Sequence, residues 1–366
     1  MAETRVPGDP GQWDSEPRLV GRIRDEILAS PDRRITFARY MERVLTEPGL
    51  GYYSTSQLRP TRDGDFLSAP ELHPFFGRCI GRFIASAREH AGSPDIFRVV
   101  EYGGGRGTLR DTASANLPAT IEWRRVDVPD RTDAPGQDRA DIVLANEYLD
   151  ALPVHRLVQD DGLQEAFVGW AEGWFVEVLA EPSTPELAAY LEADGVELRD
   201  GQRAEVCLLA PRWLREVAAG LADGGVLLVI DYGHDATELY SSRRMAGSLL
   251  TYRGHEVSDD PLAAVGYTDI TAHVDISALE RAARDAGLGL IGSTSQGPFL
   301  ADLGLGELLA ELGRLPDTEP GAYLEARGAV GRLLDPRHLG GFRVLAWARP
   351  HADGSLPGLP GFDASP

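Results

Sequence analysis

The spacing of apolar residues divides the chain into two styles of element. From 17 to 29 (Leu19, Ile23, Ile27) and from 35 to 46 (Ile35, Phe37, Met41, Val44, Leu45) they recur every third or fourth position. That period predicts two amphipathic helices, and a third is expected from about 75 to 90. Further on the pattern changes to short apolar runs: FRVVEY (97–102), DIVLANEYLD (141–150) and GVLLVIDYG (225–233). Continuous apolar runs alternating with helices predict an α/β fold, a mostly parallel sheet covered on both faces. Between the second and third runs, VHRLVQ, LQEAFVGW and WFVEVLA alternate apolar and polar residues, and a short helix is expected around 185–193. This stretch, about 153–206, reads as a β-rich insertion. After 275 the pattern predicts a helix, a strand (GLGLIGSTS), more helix and a last strand, GFRVLAWAR (341–349). The expected organisation is a loose terminus (1–16), an N-terminal helical lid (17–96), a core with its insertion (97–350) and a loose tail (351–366).

Composition narrows the chemistry. The 366 residues include 36 basic ones, every one Arg, against 57 Asp plus Glu. Without lysine, phosphate loops that need Gly-Lys-Ser/Thr, kinase-type anchoring lysines and Schiff-base chemistry are excluded. A net charge of −21 argues against nucleic acid or anionic membrane as a partner, because such binding needs clustered cations. Twelve acids and two arginines fall within 159–206. A solvated face is the plain reading of that cluster; the functional one is a guide for an Arg- or amine-bearing substrate, carried by residues such as Glu172, Glu177 and Glu181. Two cysteines, Cys79 and Cys207, supply neither a disulfide framework nor a four-thiolate metal site, and both read as buried small hydrophobes. No metal is expected. No apolar run approaches the roughly 18 residues of a membrane span and the start shows no signal pattern, so a cytoplasmic location is the default, with a homodimer as the oligomer allowed for. The arginine-only, Ala-, Gly- and Pro-rich usage points to a GC-rich, bacterial genome.

Candidate chemistry gathers at the strand ends. VVEYGGGRGTL (99–109) places Glu101 at the end of a strand and Gly103, Gly105 and Gly107 in the turn before a helix. Such glycines let backbone amides approach a ligand. A dinucleotide fingerprint wants glycine where Thr108 stands; G-x-G-x-G after a strand-terminal acid suits S-adenosylmethionine instead, while a turn that merely packs strand on helix is the alternative. Polar residues also close the other runs: Asp127 after IEWRRV, Asn146 and Glu147 after DIVLA, Asp231 and Tyr232 after GVLLVI. Ligands of open α/β sheets bind at those carboxyl ends.

At these residues the chain resembles the MidA/NDUFAF7-type class I methyltransferases, a family whose mitochondrial member methylates an arginine of a respiratory complex I subunit. The similar segments run in order along the chain: ITFARYMERVLTEPGLGYYS (35–54), DGDFLSAPELHPFFG (63–77), EYGGGRGTL, ANEYLDALPVHR (145–156), GVLLVIDYGH (225–234), GSLLTYRGHEVSDDPLAAVGYTDITAHVDISAL (247–279) and GGFRVLAWAR (340–349). The resemblance implies a Rossmann-like, seven-stranded sheet with its last strand antiparallel. It also implies S-adenosylmethionine as cofactor, held by Asp65, Phe66, Ser68, Glu71, Glu101, Gly103, Gly105, Gly107, Asn146 and Glu147. Methyl transfer needs alignment above all, yet an amine or guanidine acceptor must be neutral to react, so Glu71, Glu147, Asp150 or His73 is the candidate to hold or deprotonate it. A structural hydrogen bond is the favoured reading for His73, as for His155 and His273, and Asp150 equally suits a cap.

One departure stands out. Only thirty-seven residues, 104–140, separate the glycine turn from the strand at Asp141, where three helices and two strands would need about 60. One strand–helix unit is therefore expected to be missing, beside the adenine and ribose. Asp127 is either the ribose-binding acid or part of a different strand. The first functional reading is methyl transfer to N or O of a guanidine, amine or carboxylate in a small metabolite or protein. The second is a methyltransferase fold turned to a non-methylating cyclisation or elimination, or to scaffolding an assembly.

Overall fold

The computed structural model describes residues 15–55, 68–127, 139–253, 256–258, 260–315 and 319–362. They fall into two units. One is drawn from Leu67–Asp150, Leu209–Glu238 and His273–Pro366, the other from Met1–Phe66, Ala151–Leu208 and Leu239–Ala272. The expected 17–96 region is thus divided: residues up to 66 go with the insertion, and those from 67 onward go with the core.

The core unit is built on six strands: β1 (Phe97–Tyr102), β2 (Ile121–Val126), β3 (Ala140–Asn146), β4 (Leu221–Asp231), β5 (Gly289–Ser295) and β6 (Arg343–Ala348). Their order across the sheet is β5-β6-β4-β3-β1-β2. The pairs β2/β1, β1/β3 and β3/β4 are parallel, and β6 runs antiparallel to both β4 and β5. The apolar runs become the central strands: Val226, Leu227, Leu228, Val229 and Ile230 of β4 are all buried, each side chain contributing about 1.5–3 kcal/mol relative to exposure. At the edge, Glu122 and Arg124 of β2 face solvent.

The seven-stranded sheet is corrected to six among the described residues, with the last strand antiparallel as the resemblance implies. Chain length explains the difference. Between Val126 and Ala140 lie thirteen residues, and one crossover between parallel strands already takes a dozen or more. The tail also departs from the loose segment expected. Leu359 is buried and the Phe362 ring packs 5.4 Å from Phe299 and 6.5 Å from Phe83.

In the other unit, Leu163–Ala171 pairs with Arg34–Thr36, His155–Gln159 and Trp174–Ala180, and Arg203–Val206 extends the sheet beside His155–Gln159. The amphipathic helices Pro17–Ala29 and Phe37–Thr46 bury Leu19, Ile23, Ile27, Tyr40 and Val44 in one cluster with Val168 and Phe175. Thr36 caps the second helix by accepting the Arg39 N–H at 3.1 Å. Two acids of this unit, Glu177 and Glu165, are held by partners, while Asp160, Asp161, Glu172 and Glu181 are exposed, as a solvated face implies. Glu177 accepts from both guanidinium nitrogens of Arg203 (2.6 and 2.8 Å), with Arg156 at 3.4 Å. Glu165 is fully buried and accepts from the Ser183 N–H at 2.6 Å, while His155 Nδ1 lies 2.7 Å from its other oxygen. Glu177 is therefore corrected from a capture residue to half of an ion pair; Glu172 and Glu181 are exposed, as is Glu177 itself. Cys79 is buried as expected; Cys207 is only partly so.

Candidate active site

The glycine turn leaves β1 with φ of 69° at Gly103, 49° at Gly105 and 83° at Gly107. This left-handed region is where glycine alone is free of strain. Its neighbour β2 fixes it. Gly105 donates its N–H to Asp127 (3.0 Å) and receives Arg125 on its carbonyl (2.7 Å), while Gly103 N–H reaches the Val126 carbonyl (3.0 Å). A side chain at Gly103 would meet the Tyr148 ring, one at Gly104 the Glu101 carboxyl, and one at Gly107 the Arg125 guanidinium. At Gly105 it would meet only the Gly103 carbonyl, 3.9 Å away. The turn is closed on three sides and open at Gly105.

Glu101, at the end of β1, is buried and accepts from the Trp123 indole N–H at 2.8 Å. Burial pushes its carboxyl up to about 7 against the pull of that hydrogen bond; the Asp127 charge adds to the rise and those of Arg125 and Arg110 oppose it. Beyond β3, Glu147 has φ of 51° and donates its N–H to the Ile230 carbonyl of β4 (2.9 Å). Its Oε1 accepts from the Ala69 N–H and from Asn146 Nδ2, both at 3.0 Å. Its Oε2 is buried and has no partner, and neither has Asn146 Oδ1. Desolvation raises the Glu147 carboxyl to about 7, with the like charges of Asp231 and Glu71 adding to it.

Asp231, at the end of β4, is the organiser that the candidate residues omit. It is buried, and its carboxylate accepts backbone N–H groups from Tyr148 (3.2 Å), Leu149 (2.8 Å) and Tyr232 (2.8 Å), with that of Asp150 alongside. It thereby pins the turn that follows Glu147. The one signal of this in the sequence is an acid closing the longest apolar run. Trp123 and Arg125 had a signal too, polar-tipped residues inside a strand of a parallel sheet.

The remaining candidates divide. Glu71 lies in the Ala69–Leu72 helix, its carboxyl raised by burial against the Arg106 charge, and its Oε2 is buried without a partner. Ser68 precedes that helix and bonds it through its carbonyl, which accepts from Glu71 and Leu72 N–H (3.0 Å each). His73, a candidate base for which a structural hydrogen bond is the favoured reading, makes that bond: Nδ1 accepts the Phe75 N–H (3.2 Å) at the start of helix Pro74–His90. No helix follows Asp150, so it caps none, and its backbone serves Asp231. Asp65 and Phe66 lie outside the described residues.

Residues 111–294 match the model of the family described as "Putative S-adenosyl-L-methionine-dependent methyltransferase". The chain belongs to this family. It is also similar to a COG1565 superfamily member from Burkholderia thailandensis, solved with S-adenosyl-homocysteine bound, at 32% identity and a TM-score of 0.79, covering 99% of this chain and 96% of that one. Among curated proteins it is 29% identical to "Protein arginine methyltransferase NDUFAF7 homolog, mitochondrial" of Drosophila melanogaster, over 90% of this chain and 84% of the relative. The corresponding Homo sapiens protein is 28% identical over 84% of this chain and 78% of its own length.

The protein is an S-adenosylmethionine-dependent methyltransferase with a class I methyltransferase-like fold. Its own geometry fits the cofactor. The face that a side chain at Gly105 would fill is open, acids close β1 and β2 beside it, and the buried Glu71 Oε2 has no donor. The ribose hydroxyls and the amino-acid ammonium of the cofactor supply such donors.

Proposed function

We propose that the enzyme methylates a nitrogen of an arginine guanidine in a protein. The observation that carries this reading is the pair of neighbouring, buried, donorless oxygens at the end of β3: Glu147 Oε2 and Asn146 Oδ1. An unpaired buried acceptor is costly, about 1–3 kcal/mol and more for a charged group, so two side by side call for a partner with two N–H groups. A guanidinium offers that fork. The names of the relatives support the same acceptor.

When bound, S-adenosylmethionine supplies an electrophilic methyl group on a sulfonium. What the chain must supply is a guanidine whose nitrogen can react. A free guanidinium keeps its proton at neutral pH because its pKa lies far above that range. Glu147 is placed to hold that cation, orient one nitrogen and receive a proton on Oε2; burial makes its carboxylate a stronger base than an exposed one. Asp231 holds the turn behind it and cannot take the same role, since its oxygens are occupied by backbone N–H groups.

Incubating the full chain with labelled cofactor and arginine-containing peptides, then separating the amino acids after hydrolysis, tests this. Label in mono- or dimethylarginine is expected. Label in another amino acid, or only in small-metabolite acceptors, would overturn the arginine reading. Cofactor binding with no methylated product from any nitrogen or oxygen acceptor would favour a fold turned to other chemistry.

A further inference from the structure

The amino-acid end of the cofactor is a zwitterion, an ammonium and a carboxylate on one carbon. The chain has no lysine to meet that carboxylate, and the arginines around the glycine turn are unequally committed. Arg125 is bonded to the Gly105 carbonyl, and Arg110 is paired with Asp111 at 2.7 Å. Arg106 sits between Gly105 and Gly107, is exposed, and makes no hydrogen bond or ion pair with any described residue. It is not electrically isolated, because its charge acts on Glu71.

These two groups have opposite charge, interact across the same turn, and do not bond. Two free side chains would ordinarily meet in a surface salt bridge. Here the backbone under each is fixed. The turn is bonded to β2 through both the N–H and carbonyl of Gly105, and the first N–H of the Ala69–Leu72 helix is bonded to Glu147. Glu71 Oε2 stays buried and partnerless as a result. A cation and an anion held apart, each lacking its partner, complement a ligand that carries both charges.

We propose that Arg106 and Glu71 bracket the amino-acid end of S-adenosylmethionine, the Arg106 guanidinium on its carboxylate and the Glu71 carboxylate on its ammonium. A guanidinium binds a carboxylate through two parallel N–H bonds, which orients as well as attracts. Glu71 thereby holds the cofactor rather than deprotonating the acceptor, and the inference rests on the cofactor, not on the arginine reading of the acceptor.

Isothermal titration of the full chain, with no acceptor present, separates the two. The probes are S-adenosylhomocysteine and 5′-methylthioadenosine, which keeps the nucleoside and lacks the amino-acid end. Wild type is expected to prefer S-adenosylhomocysteine at least 100-fold. Arg106→Ala and Glu71→Gln should each weaken S-adenosylhomocysteine tenfold or more and leave 5′-methylthioadenosine within twofold. Equal affinity of wild type for the two probes would overturn the proposal, whatever the variants do. So would an unchanged S-adenosylhomocysteine affinity in Arg106→Ala, or an equal loss of both probes, which would mark a collapsed turn.

Discussion

Glu165 and Glu177 in the unit that contains the insertion, and Glu101 and Glu147 at the strand ends of the core, all lose some contact with water, Glu177 least because it stays exposed, and they respond in opposite directions. Burial alone raises every one of these carboxyls. In Glu177 the Arg203 and Arg156 guanidinium groups outweigh it, and in Glu165 the bonds from His155 and Ser183 do, so both end below the ordinary carboxylate range. Glu26 and Glu47 follow the same course beside Arg39, Arg43 and Arg22. At the strand ends no cation among the described residues is bonded to Glu101 or Glu147, and both rise to about 7. Acids in the first group are satisfied and structural. Those in the second carry the proposed chemistry.

The sharpest way to break this distinction is to remove one charge from each group. Glu147→Gln should lower kcat for arginine methylation about 100-fold or more, the usual range for a positioned base, with S-adenosylhomocysteine affinity within about threefold. Glu165→Gln should leave the kcat of the folded enzyme unchanged. Equal losses in a steady-state assay would erase the difference between the groups.

A smaller effect is expected in stability. Glu177→Arg places like charges against Arg203 and Arg156 and should destabilise by about 2 kcal/mol, within the range for breaking a partly exposed ion network. The same reversal at exposed Glu172 or Glu181 should change it by no more than about 0.5 kcal/mol. Urea unfolding at pH 7 measures all three. If Glu172→Arg proves as damaging as Glu177→Arg, the pairing is not what matters.

Glu101→Gln tests the opposite sign and should have the smallest effect. Its folded pKa of about 7 lies above the ordinary glutamate value of 4.5. Stability from this group is therefore fully present below about 4.5 and lost as pH rises through about 7. Gln keeps an acceptor for the Trp123 N–H and removes the charge. It should stabilise by about 1–2 kcal/mol at pH 8, less than the full linkage of 1.36 kcal/mol per unit implies, and by nothing measurable near pH 4.5. A gain independent of pH would mean that the buried charge is not its source.

The features legible in the sequence were local ones. A left-handed turn demands glycines, so Gly103, Gly105 and Gly107 announce it, and buried parallel strands are unbroken apolar runs ending in acids. Counting residues between the turn and β3 pointed to a shortened sheet, because elements have minimum lengths, and six strands pair among the described residues. What could not be read depends on which distant segments meet. The 17–96 region splits between units because two of its helices bury their apolar faces with Val168 and Phe175. Pairing of β1 with β2 sets Glu101 opposite Arg125 and brings Trp123 within reach of the carboxyl. Glu177 reads as one more acid in an acidic stretch until the strand carrying Arg203 lies in the same sheet.

The pH dependence of kcat/KM for an arginine-containing peptide, followed from 5.5 to 8.5 in wild type and in Glu147→Gln, addresses the central claim most directly. With Glu147 as the group that receives the acceptor's proton, wild-type kcat/KM should rise about tenfold per pH unit below an apparent pKa near 7 and level off above it. The residual activity of Glu147→Gln should lack that rise. A flat wild-type profile, or the same rise in the variant, would contradict the account.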